Sequence, residues 1–302
     1  MRPALLALSL AATLLGAGCA SFHADPPPGA PADATFAEVD GVALRVLDAG
    51  PRDAPAVVLI HGYAASLDTW LGLVPVLATR YRVIALDLKG FGWSGRPEGD
   101  YSPPAEARLV LGLMDQLGVE KARVVAHSWG SSVALALALA APERVERLAL
   151  YGAWIYHEEL PPFFRWAGTA GVGEALFTAF YDERPDERMA RAFYDPALIN
   201  EAFVERYEAS LARPGTTAAA LAAARGQAAL LDMAPRYRTV TQPTLLMWGR
   251  EDRVSPLAFG ERLVKDLPRA RLVVYPRCGH FPMVEAAAAS TRELLAFLAE
   301  AP

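Results

Sequence analysis

The sequence predicts an α/β protein built on a mostly parallel, doubly wound sheet, with a helical insertion that forms a cap. Three observations support this fold class. Short apolar runs typical of buried strands alternate with segments of helical spacing along most of the chain. The connections between them are short, which favours parallel strands joined by helices on both faces of a sheet. The alternation stops over residues 154–236, where alanine-rich, aromatic segments without a strand pattern predict helices.

Length and composition limit the classes of function. The chain has 302 residues, of which 53% are hydrophobic, so it can bury a large core. Its formal net charge is −5 and it contains no block of basic residues, which argues against a nucleic-acid partner. The two cysteines, Cys19 and Cys278, are too few for a disulfide scaffold and belong to no Cys/His cluster. We therefore expect neither a metal site nor a cofactor.

The amino terminus has the order of regions found in an export signal. Arg2 precedes an apolar run over residues 4–15, and small residues follow it. The run is shorter than the roughly 20 residues that a membrane-spanning helix needs. We therefore interpret residues 1–18 as a signal peptide that lies outside the fold, with a buried first helix as the alternative.

Cys19 directly follows this segment, after three small residues. The arrangement resembles a bacterial lipoprotein signal, although Gly16 stands where that family prefers leucine. The resemblance implies that Cys19 carries a lipid and holds an exported protein at the cell envelope. Because Ala20 rather than aspartate follows, it implies the outer membrane in a Gram-negative cell. A soluble periplasmic or secreted protein is the alternative. Residues 19–34, rich in proline and alanine, then form the anchor and an extended linker.

The core is predicted in two parts, residues 35–153 and 237–302, on either side of the cap. Asp40-Gly41 divides two apolar runs and predicts a β-hairpin at the start of the core. The remaining elements follow one another in strand–helix order. The predicted strands are PAVVLIHG, YRVIALDLKG, 122–126, 145–151, TLLMWG and ARLVVYP, and the predicted helices lie around 70–77 and over 105–117, 129–141, 257–267 and 285–299.

The candidate nucleophile is Ser128, in the sequence A-H-S-W-G between a predicted strand and a predicted helix. A nucleophile in such a tight turn needs small residues two places before and after it, because the strand and the helix nearly touch. Ala126 and Gly130 satisfy this requirement. Sites in such sheets collect at the carboxyl ends of the strands, which is where Ser128 is placed. The alternative is that Ser128 only caps the following helix.

Further motifs accompany this turn along the chain. In order, they are HGYAAS and DLKGFGWSGRP before it, and WGREDRVSP and CGHFPMVE after it. Together they resemble the α/β-hydrolase fold family over roughly residues 35–302. The resemblance implies a serine hydrolase of the capped, esterase- or lipase-like branch. Ala126 departs from the glycine that is more common at that position in the family.

A serine hydroxyl needs a base that takes its proton, and an imidazole base needs a carboxylate that orients it. His280 follows the last predicted strand, in a loop that can reach over Ser128. Asp252 follows the strand TLLMWG and is the predicted acid, with Glu251 as its rival. The chain order Ser128, Asp252, His280 is that of the α/β-hydrolases. His127, next to the nucleophile, is expected to point away from it.

The negative oxygen of a tetrahedral intermediate needs hydrogen-bond donors that are already in place. We expect the backbone N–H groups of Trp129 and of Tyr63, in the loop after PAVVLIHG, to form this oxyanion hole. The side chains of Tyr63, Trp129 and Trp154 are expected to contact the substrate. The loop DLKGFGWSG lacks dinucleotide-site spacing, so Asp87 and Ser94 are expected to hold the loop itself.

The predicted reaction is acyl transfer to Ser128 followed by hydrolysis of the acyl-enzyme. Aromatic residues of the cap favour an apolar pocket, so the predicted substrate is a small or medium hydrophobic carboxylic ester. A C–C bond hydrolase of aromatic catabolism shares the triad and the cap and is an alternative, as is a peptidase resembling proline iminopeptidase. A non-catalytic lipoprotein binding module is the alternative from another class. The sequence does not predict an oligomeric state.

Overall fold

In the computed structural model, which describes residues 21–181, 185–199 and 201–300, eight strands form one sheet. The strands are β1 (Thr35–Val39), β2 (Val42–Ala49), β3 (Ala56–Ile60), β4 (Arg82–Leu86), β5 (Ala122–His127), β6 (Val145–Tyr151), β7 (Thr244–Gly249) and β8 (Ala270–Tyr275). Their order across the sheet is β1-β2-β4-β3-β5-β6-β7-β8. β1 and β2 form an antiparallel hairpin that also pairs antiparallel with β4, and all other pairs are parallel. The predicted fold class is confirmed.

Helices follow the strands and cover both faces of the sheet. They are α1 (Val74–Leu77), α2 (Pro103–Gln116), α3 (Trp129–Ala140), α4 (Pro162–Ala167), α5 (Val172–Phe180), α6 (Pro185–Ala192), α7 (Glu201–Leu211), α8 (Thr216–Gly226), α9 (Leu230–Met233), α10 (Leu257–Asp266), α11 (Pro282–Glu285) and α12 (Ala287–Ala299). Val58 and Ile60 of β3 belong to one buried apolar cluster, and the alternate residues Val57 and Leu59 belong to another. Because successive side chains of a strand point to opposite faces, both faces of the sheet are buried, and this explains the continuous apolar runs.

The cap lies between β6 and β7, where the described residues form helices α4 to α9 and no strand. Helix α8 is in direct contact with the core. The hydroxyl of Tyr63 donates to the carbonyl oxygen of Ala220 at 2.7 Å. At the end of the helix, a Cβ on Gly226 would lie 2.7 Å from the backbone nitrogen of Ser102. The cap is therefore held against both the loop after β3 and the start of α2.

The segment before β1 differs from the extended spacer that its proline-rich composition predicts. His23 and Arg96 form an antiparallel bridge, with N–O distances of 2.8 and 2.7 Å. The ring of Phe22 stacks on Tyr101 with 5.9 Å between the ring centroids. On the other side, a Cβ on Gly215 would lie 2.9 Å from Cβ of His23. Backbone hydrogen bonds and ring packing therefore fix this segment between the core and the start of α8.

The predicted signal peptide, residues 1–18, and the predicted lipid attachment site, Cys19, lie outside the described residues. Within the part of the chain that the structure describes, no helix is both long enough and apolar enough to span a membrane. Cys278, in contrast, is a free, buried cysteine in the loop after β8.

Candidate active site

Ser128 occupies a strained turn between β5 and α3. Its backbone angles are φ 51° and ψ −125°, a region that non-glycine residues rarely adopt. Although Ser128 stands at the N-cap of α3, its side chain makes no capping hydrogen bond. The capping alternative therefore does not account for this serine. The turn instead presents the hydroxyl outside the carboxyl end of β5, as a nucleophile elbow requires.

Two glycines let neighbouring backbone segments approach this turn. A Cβ on Gly130 would lie 2.3 Å from the carbonyl oxygen of His61, and a Cβ on Gly62 would lie 3.0 Å from Cβ of Ser128. Ala126, which stands where glycine is more common in the family, is fully buried and pairs with Ile60 of β3. The loop that carries Tyr63 is therefore packed directly against the serine turn.

Asp252 and His280 meet at the carboxyl ends of the neighbouring strands β7 and β8. Nδ1 of His280 lies 2.8 Å from Oδ2 of Asp252, and both side chains are buried. The other carboxylate oxygen, Oδ1, accepts hydrogen bonds from the backbone N–H groups of Val254 and Ser255, each at 2.8 Å. Because the carboxylate accepts the proton on Nδ1, the opposite nitrogen, Nε2, is left able to accept a proton.

Glu251, the rival acid, has a different role in the structure. Its Oε2 accepts a hydrogen bond from the backbone N–H of Cys278 at 3.0 Å. Its own backbone N–H donates to the carbonyl oxygen of Cys278, also at 3.0 Å. Glu251 therefore joins the loop after β7 to the loop that carries His280, and it leaves the imidazole to Asp252.

Ser128 and His280 line the same cavity, which has a volume of about 250 Å³. The three residues predicted to contact a substrate, Tyr63, Trp129 and Trp154, line it as well. Other walls come from residues that the sequence did not single out as contacts, namely Phe164, Met189, Tyr207, Gln227, Val254 and Phe281. Of the described residues that line the cavity, none is a lysine or an arginine. The cavity is thus a mainly apolar chamber beneath the cap.

His127 lines this cavity, although its position next to the nucleophile led us to expect that it points away. Its ring lies 4.7 Å from the ring of His280, and its Nε2 lies 2.9 Å from the carbonyl oxygen of His280. A carbonyl oxygen only accepts, so Nε2 of His127 carries the proton. Burial, with repulsion from His280 as a smaller cause, lowers the pKa of His127 well below its ordinary value of 6.5. The ring is therefore neutral, and its Nδ1 is a hydrogen-bond acceptor.

Four buried polar atoms of cavity-lining residues have no hydrogen-bond partner among the described residues. They are Nδ1 of His127, the indole Nε1 atoms of Trp129 and Trp154, and Oε1 of Gln227. Buried polar groups in folded proteins are almost always hydrogen-bonded to protein, water or a ligand. Each of these four atoms is enclosed by protein and has almost no accessible surface, so a ligand in the chamber reaches none of them in this conformation.

A buried carboxyl group that the sequence analysis missed, Glu159, supports the acid from the cap side. Its Oε1 accepts hydrogen bonds from the backbone N–H groups of Ile155 and Tyr156, at 3.1 and 3.0 Å. Its Oε2 lies 2.7 Å from Oγ of Ser255, whose backbone N–H donates to Asp252. No local sequence pattern marks this residue, because its partner in the core is almost a hundred positions away.

The hydrogen bonds of Ser255 indicate which protonation state Glu159 adopts. Oγ of Ser255 lies within 2.9 Å of the carbonyl oxygen of Ala153 as well as within 2.7 Å of Glu159. The single hydroxyl proton of Ser255 cannot be donated to both of these oxygens. When the carboxyl group of Glu159 is protonated, it donates to Oγ of Ser255, and the Ser255 hydroxyl donates to the carbonyl oxygen of Ala153, so each group has a partner. Burial raises the pKa of Glu159 to about 7, against weaker opposing effects of its hydrogen bonds. The carboxyl group is therefore largely neutral below neutral pH.

Asp87 and Ser94 hold their own loop, as the geometry shows. The two carboxylate oxygens of Asp87 accept hydrogen bonds from the backbone N–H groups of Leu67 and Trp93, at 2.6 and 2.7 Å. The hydroxyl of Ser94 donates to the carbonyl oxygen of Asp87 at 2.6 Å. Neither residue lines the cavity with Ser128.

The family model described as alpha/beta hydrolase fold matches residues 55–287. The chain belongs to the α/β-hydrolase fold family. The resemblance inferred from the motifs is thereby confirmed.

Relatives in this family have several named activities. The chain is 33% identical to the dihydrolipoyllysine-residue acetyltransferase component of the acetoin cleaving system of Pseudomonas putida, over 87% of this chain and 68% of that protein. It is also 33% identical to 2-hydroxy-6-oxo-6-phenylhexa-2,4-dienoate hydrolase of Burkholderia cepacia, over 85% of this chain and 91% of that protein. The solved structure of the Rhodococcus enzyme of the same name superposes with a TM-score of 0.74 at 28% identity, covering 88% of this chain and 100% of that one.

Proposed function

We propose that the protein is a serine hydrolase in which Ser128 is the nucleophile, His280 the general base and Asp252 the group that orients the base. One observation carries this proposal: the imidazole that lines the cavity beside Ser128 is held at 2.8 Å by a buried carboxylate. Nε2 of His280 takes the hydroxyl proton as the serine oxygen attacks a carbonyl carbon. The backbone N–H groups of Trp129 and Tyr63 then stabilise the negative oxygen.

The bond that we propose is cleaved is a C–C bond next to a ketone carbonyl, rather than the ester bond predicted from the sequence. The relative that hydrolyses a 2-hydroxy-6-oxo-dienoate supports this choice over the ester. The attacked carbonyl carbon forms an ester with Ser128, and the leaving carbon takes the proton held by His280. Water, deprotonated by the same imidazole, then releases the acid and restores the serine.

The lining of the cavity also supports this substrate class. The aromatic walls, such as Phe164 and Phe281, suit an apolar substituent on the same molecule.

A neutral carboxylic ester is the second candidate, because of the charge of the cavity. A dienoate carries a carboxylate, and burying a carboxylate without a cationic partner is costly. None of the described lining residues is a lysine or an arginine. This observation favours a substrate without a carboxylate in the chamber itself.

Turnover of paired substrates tests the proposal. The purified protein and its Ser128→Ala variant are assayed with 2-hydroxy-6-oxo-6-phenylhexa-2,4-dienoate and with p-nitrophenyl butyrate. We expect the wild type to have the higher kcat/KM on the diketone and the variant to be inactive on both. A higher kcat/KM on the ester would replace the first candidate by the second. Absence of turnover on both substrates would favour a non-catalytic binding module, and equal turnover in Ser128→Ala would show that Ser128 is not the nucleophile.

We also propose that Cys19 is the lipid attachment site of an exported protein, with residues 1–18 as its signal peptide. The order of a positive residue, an apolar run and small residues before the cysteine supports this. Incorporation of radiolabelled palmitate is expected in the wild type and not in Cys19→Ala. Equal labelling of the two proteins would overturn the assignment.

A further inference from the structure

The backbone of His280 is held from two directions. Its N–H donates to the carbonyl oxygen of Ala192 at 2.6 Å, and its own carbonyl oxygen accepts from Nε2 of His127 at 2.9 Å. Ala192 is the last residue of α6 in the cap, and the last carbonyl groups of a helix have no partners within the helix. The cap therefore supplies a hydrogen-bond acceptor to the residue that carries the proposed base.

Glu285, in helix α11, joins the loop of the base to the cap through one carboxylate. Its Oε1 accepts hydrogen bonds from the backbone N–H groups of Gly279 and Phe281, at 2.9 and 3.2 Å. These two residues flank His280. Its Oε2 accepts from the backbone N–H of Tyr194, in the cap segment after α6, at 2.7 Å. The same side chain thus holds both sides of the base and the segment that docks on it.

The end of α6 and the loop of the base are in close contact. A Cβ on Gly279 would lie 2.4 Å from the carbonyl oxygen of Ala192 and 2.8 Å from the backbone nitrogen of Tyr194, so a larger residue here would push the cap away. The rings of Phe193 and Phe281 stack with 4.9 Å between their centroids. The cap therefore docks on this loop through hydrogen bonds and ring packing.

This contact is separate from the main cores of the protein. Four buried apolar residues form a cluster of their own, apart from the two large clusters that contain the side chains of the sheet. They are Met189, Ala192, Phe193 and Phe281. A contact with few buried apolar side chains opens at a lower free-energy cost than the rest of a fold. We therefore expect the end of α6 to leave the loop without unfolding of the core.

The same helix end also closes the chamber that contains Ser128. Met189 and Ala192 of α6 line that chamber. Movement of α6 away from the loop would open the chamber and would remove the acceptor of the His280 N–H. Docking of α6 closes the chamber and forms this hydrogen bond. Closing the chamber and fixing the base are thus parts of one structural change.

We propose that Glu285 is a positioning residue that couples docking of α6 to the alignment of His280, so that the base is fully aligned only while the chamber is closed. Glu285 does not line the chamber, and it acts through the backbone on both sides of the imidazole. Such coupling confines proton transfer to a chamber from which bulk water is excluded. The role in catalysis rests on the proposed hydrolase function of Ser128, whereas the docking itself does not.

Two variants loosen the contact at residues that do not line the chamber. Glu285→Gln has the same shape but one acceptor oxygen. When that oxygen accepts from the two N–H groups beside His280, the amide donor faces the N–H of Tyr194, so the cap loses its hydrogen bond. Phe193→Leu keeps an apolar side chain but loses the stacked ring. Glu261→Gln, at an exposed position of α10, is the matched control.

Hydrogen exchange measures the docking without any substrate. The exchange rate of the backbone N–H of His280 is followed by NMR in the full chain. We expect this rate to be about tenfold higher in Glu285→Gln and in Phe193→Leu than in the wild type, because the bonded state opens more often. Glu261→Gln should exchange as the wild type does. An unchanged rate in both cap-contact variants would overturn the coupling.

Reaction of Ser128 with a fluorophosphonate measures the alignment of the base. The serine oxygen bonds to phosphorus and fluoride leaves, while His280 takes the hydroxyl proton. We expect the labelling rate to fall about tenfold in Glu285→Gln and in Phe193→Leu, and to stay within about twofold of the wild type in Glu261→Gln. Unchanged labelling despite faster exchange would show that docking does not position the base and would overturn the proposal.

The double variant shows whether the two residues act together. If Glu285 and Phe193 support the same docked state, combining Glu285→Gln with Phe193→Leu slows labelling by less than the product of the two single effects. A slowing equal to that product would overturn the coupling. Absence of labelling in the wild type would reject the proposed hydrolase function, and the exchange rates would still decide whether Glu285 joins the cap to the loop of His280.

Discussion

The imidazole of His280 and the carboxylate of Asp252 face each other at 2.8 Å although the two residues are 28 positions apart in the chain. Parallel pairing of β7 with β8 produces this contact, because it brings the loops at their carboxyl ends together. Cys278 and Glu251 join the same two loops through a backbone and a side-chain hydrogen bond. The acid–base pair is thus a direct product of strand order and of the connections that follow the strands.

Replacing the carboxylate by an amide tests the role of this contact. Asp252→Asn keeps the shape of the side chain but removes the charge that holds the proton on Nδ1 of His280. We expect kcat to fall by about 10⁴, the magnitude seen for such a change in serine proteases. Glu251→Gln is the matched control, because its amide oxygen can still accept from Cys278; its kcat should stay within about tenfold of the wild type. A larger loss in the control than in Asp252→Asn would assign the acid to Glu251.

Glu159 predicts a dependence of stability on pH. Its pKa is raised to about 7 in the folded protein from an ordinary value of 4.5. The folded protein binds this proton more tightly than the unfolded chain does. Glu159 therefore contributes this stability in full below pH 4.5, and the contribution is lost as the pH rises through about 7. Glu159→Gln cannot ionise, so it should gain stability relative to the wild type between pH 5 and 8, by at most roughly 3 kcal/mol.

Thermal unfolding at several pH values measures this difference. Glu158→Gln is the control, because Glu158 is exposed and its pKa is lowered, chiefly by a backbone hydrogen bond. Its stability relative to the wild type should not rise over the same range. A constant difference between Glu159→Gln and the wild type from pH 5 to 8 would show that Glu159 does not titrate in the folded protein.

There is no room for a side chain at position 130, in the turn after Ser128. An alanine Cβ would lie 2.3 Å from the carbonyl oxygen of His61, so the strand or the helix must move. We expect Gly130→Ala to lower the free energy of unfolding by about 2–3 kcal/mol and to abolish turnover. Gly72→Ala, where the added methyl meets nothing within 4 Å, should change stability by less than about 0.5 kcal/mol. Comparable unfolding midpoints for the two variants would contradict this account.

We expect the indole ring of Trp154 to contribute to substrate binding, because this residue forms part of the cavity wall. Trp154→Phe keeps an aromatic ring in the cavity wall but makes that wall smaller, so the substrate loses part of its apolar contact. We expect kcat/KM for the 6-oxo-dienoate substrate to fall about tenfold. Trp70→Phe makes the same change at a buried tryptophan of another apolar cluster, which does not line the cavity. The kcat/KM of Trp70→Phe should therefore equal that of the wild type. Equal losses in the two variants would indicate a packing effect.

Patterns that are local in the sequence predicted much of the site. The apolar strand, the serine and the small residues Ala126 and Gly130 lie within a few positions of one another, so close packing of strand and helix was evident from the sequence. Asp252 and His280 were predicted because each follows a strand whose end is a preferred place for chemistry. The choice of Asp252 over Glu251 rested on that position, and the hydrogen bonds agree with it.

Residues whose roles depend on distant partners were not predicted. His127 enters the cavity because its Nε2 reaches the carbonyl oxygen of His280, 153 positions away. Glu159 supports Asp252 through Ser255, and Gln227 reaches the chamber from the cap. The segment around His23 is fixed to Arg96 despite a composition typical of a free linker.

The sequence by itself determined the order of strands and helices, the position of the helical insertion and the choice of Ser128 as the proposed nucleophile. These follow from periodicity, turn chemistry and residue size, which act over a few residues. Only the tertiary structure decided which polar atoms meet in the chamber and which apolar side chains stay exposed on the cap. A buried hydrogen bond depends on two groups brought together by the whole fold, and exposure depends on what the rest of the chain leaves uncovered.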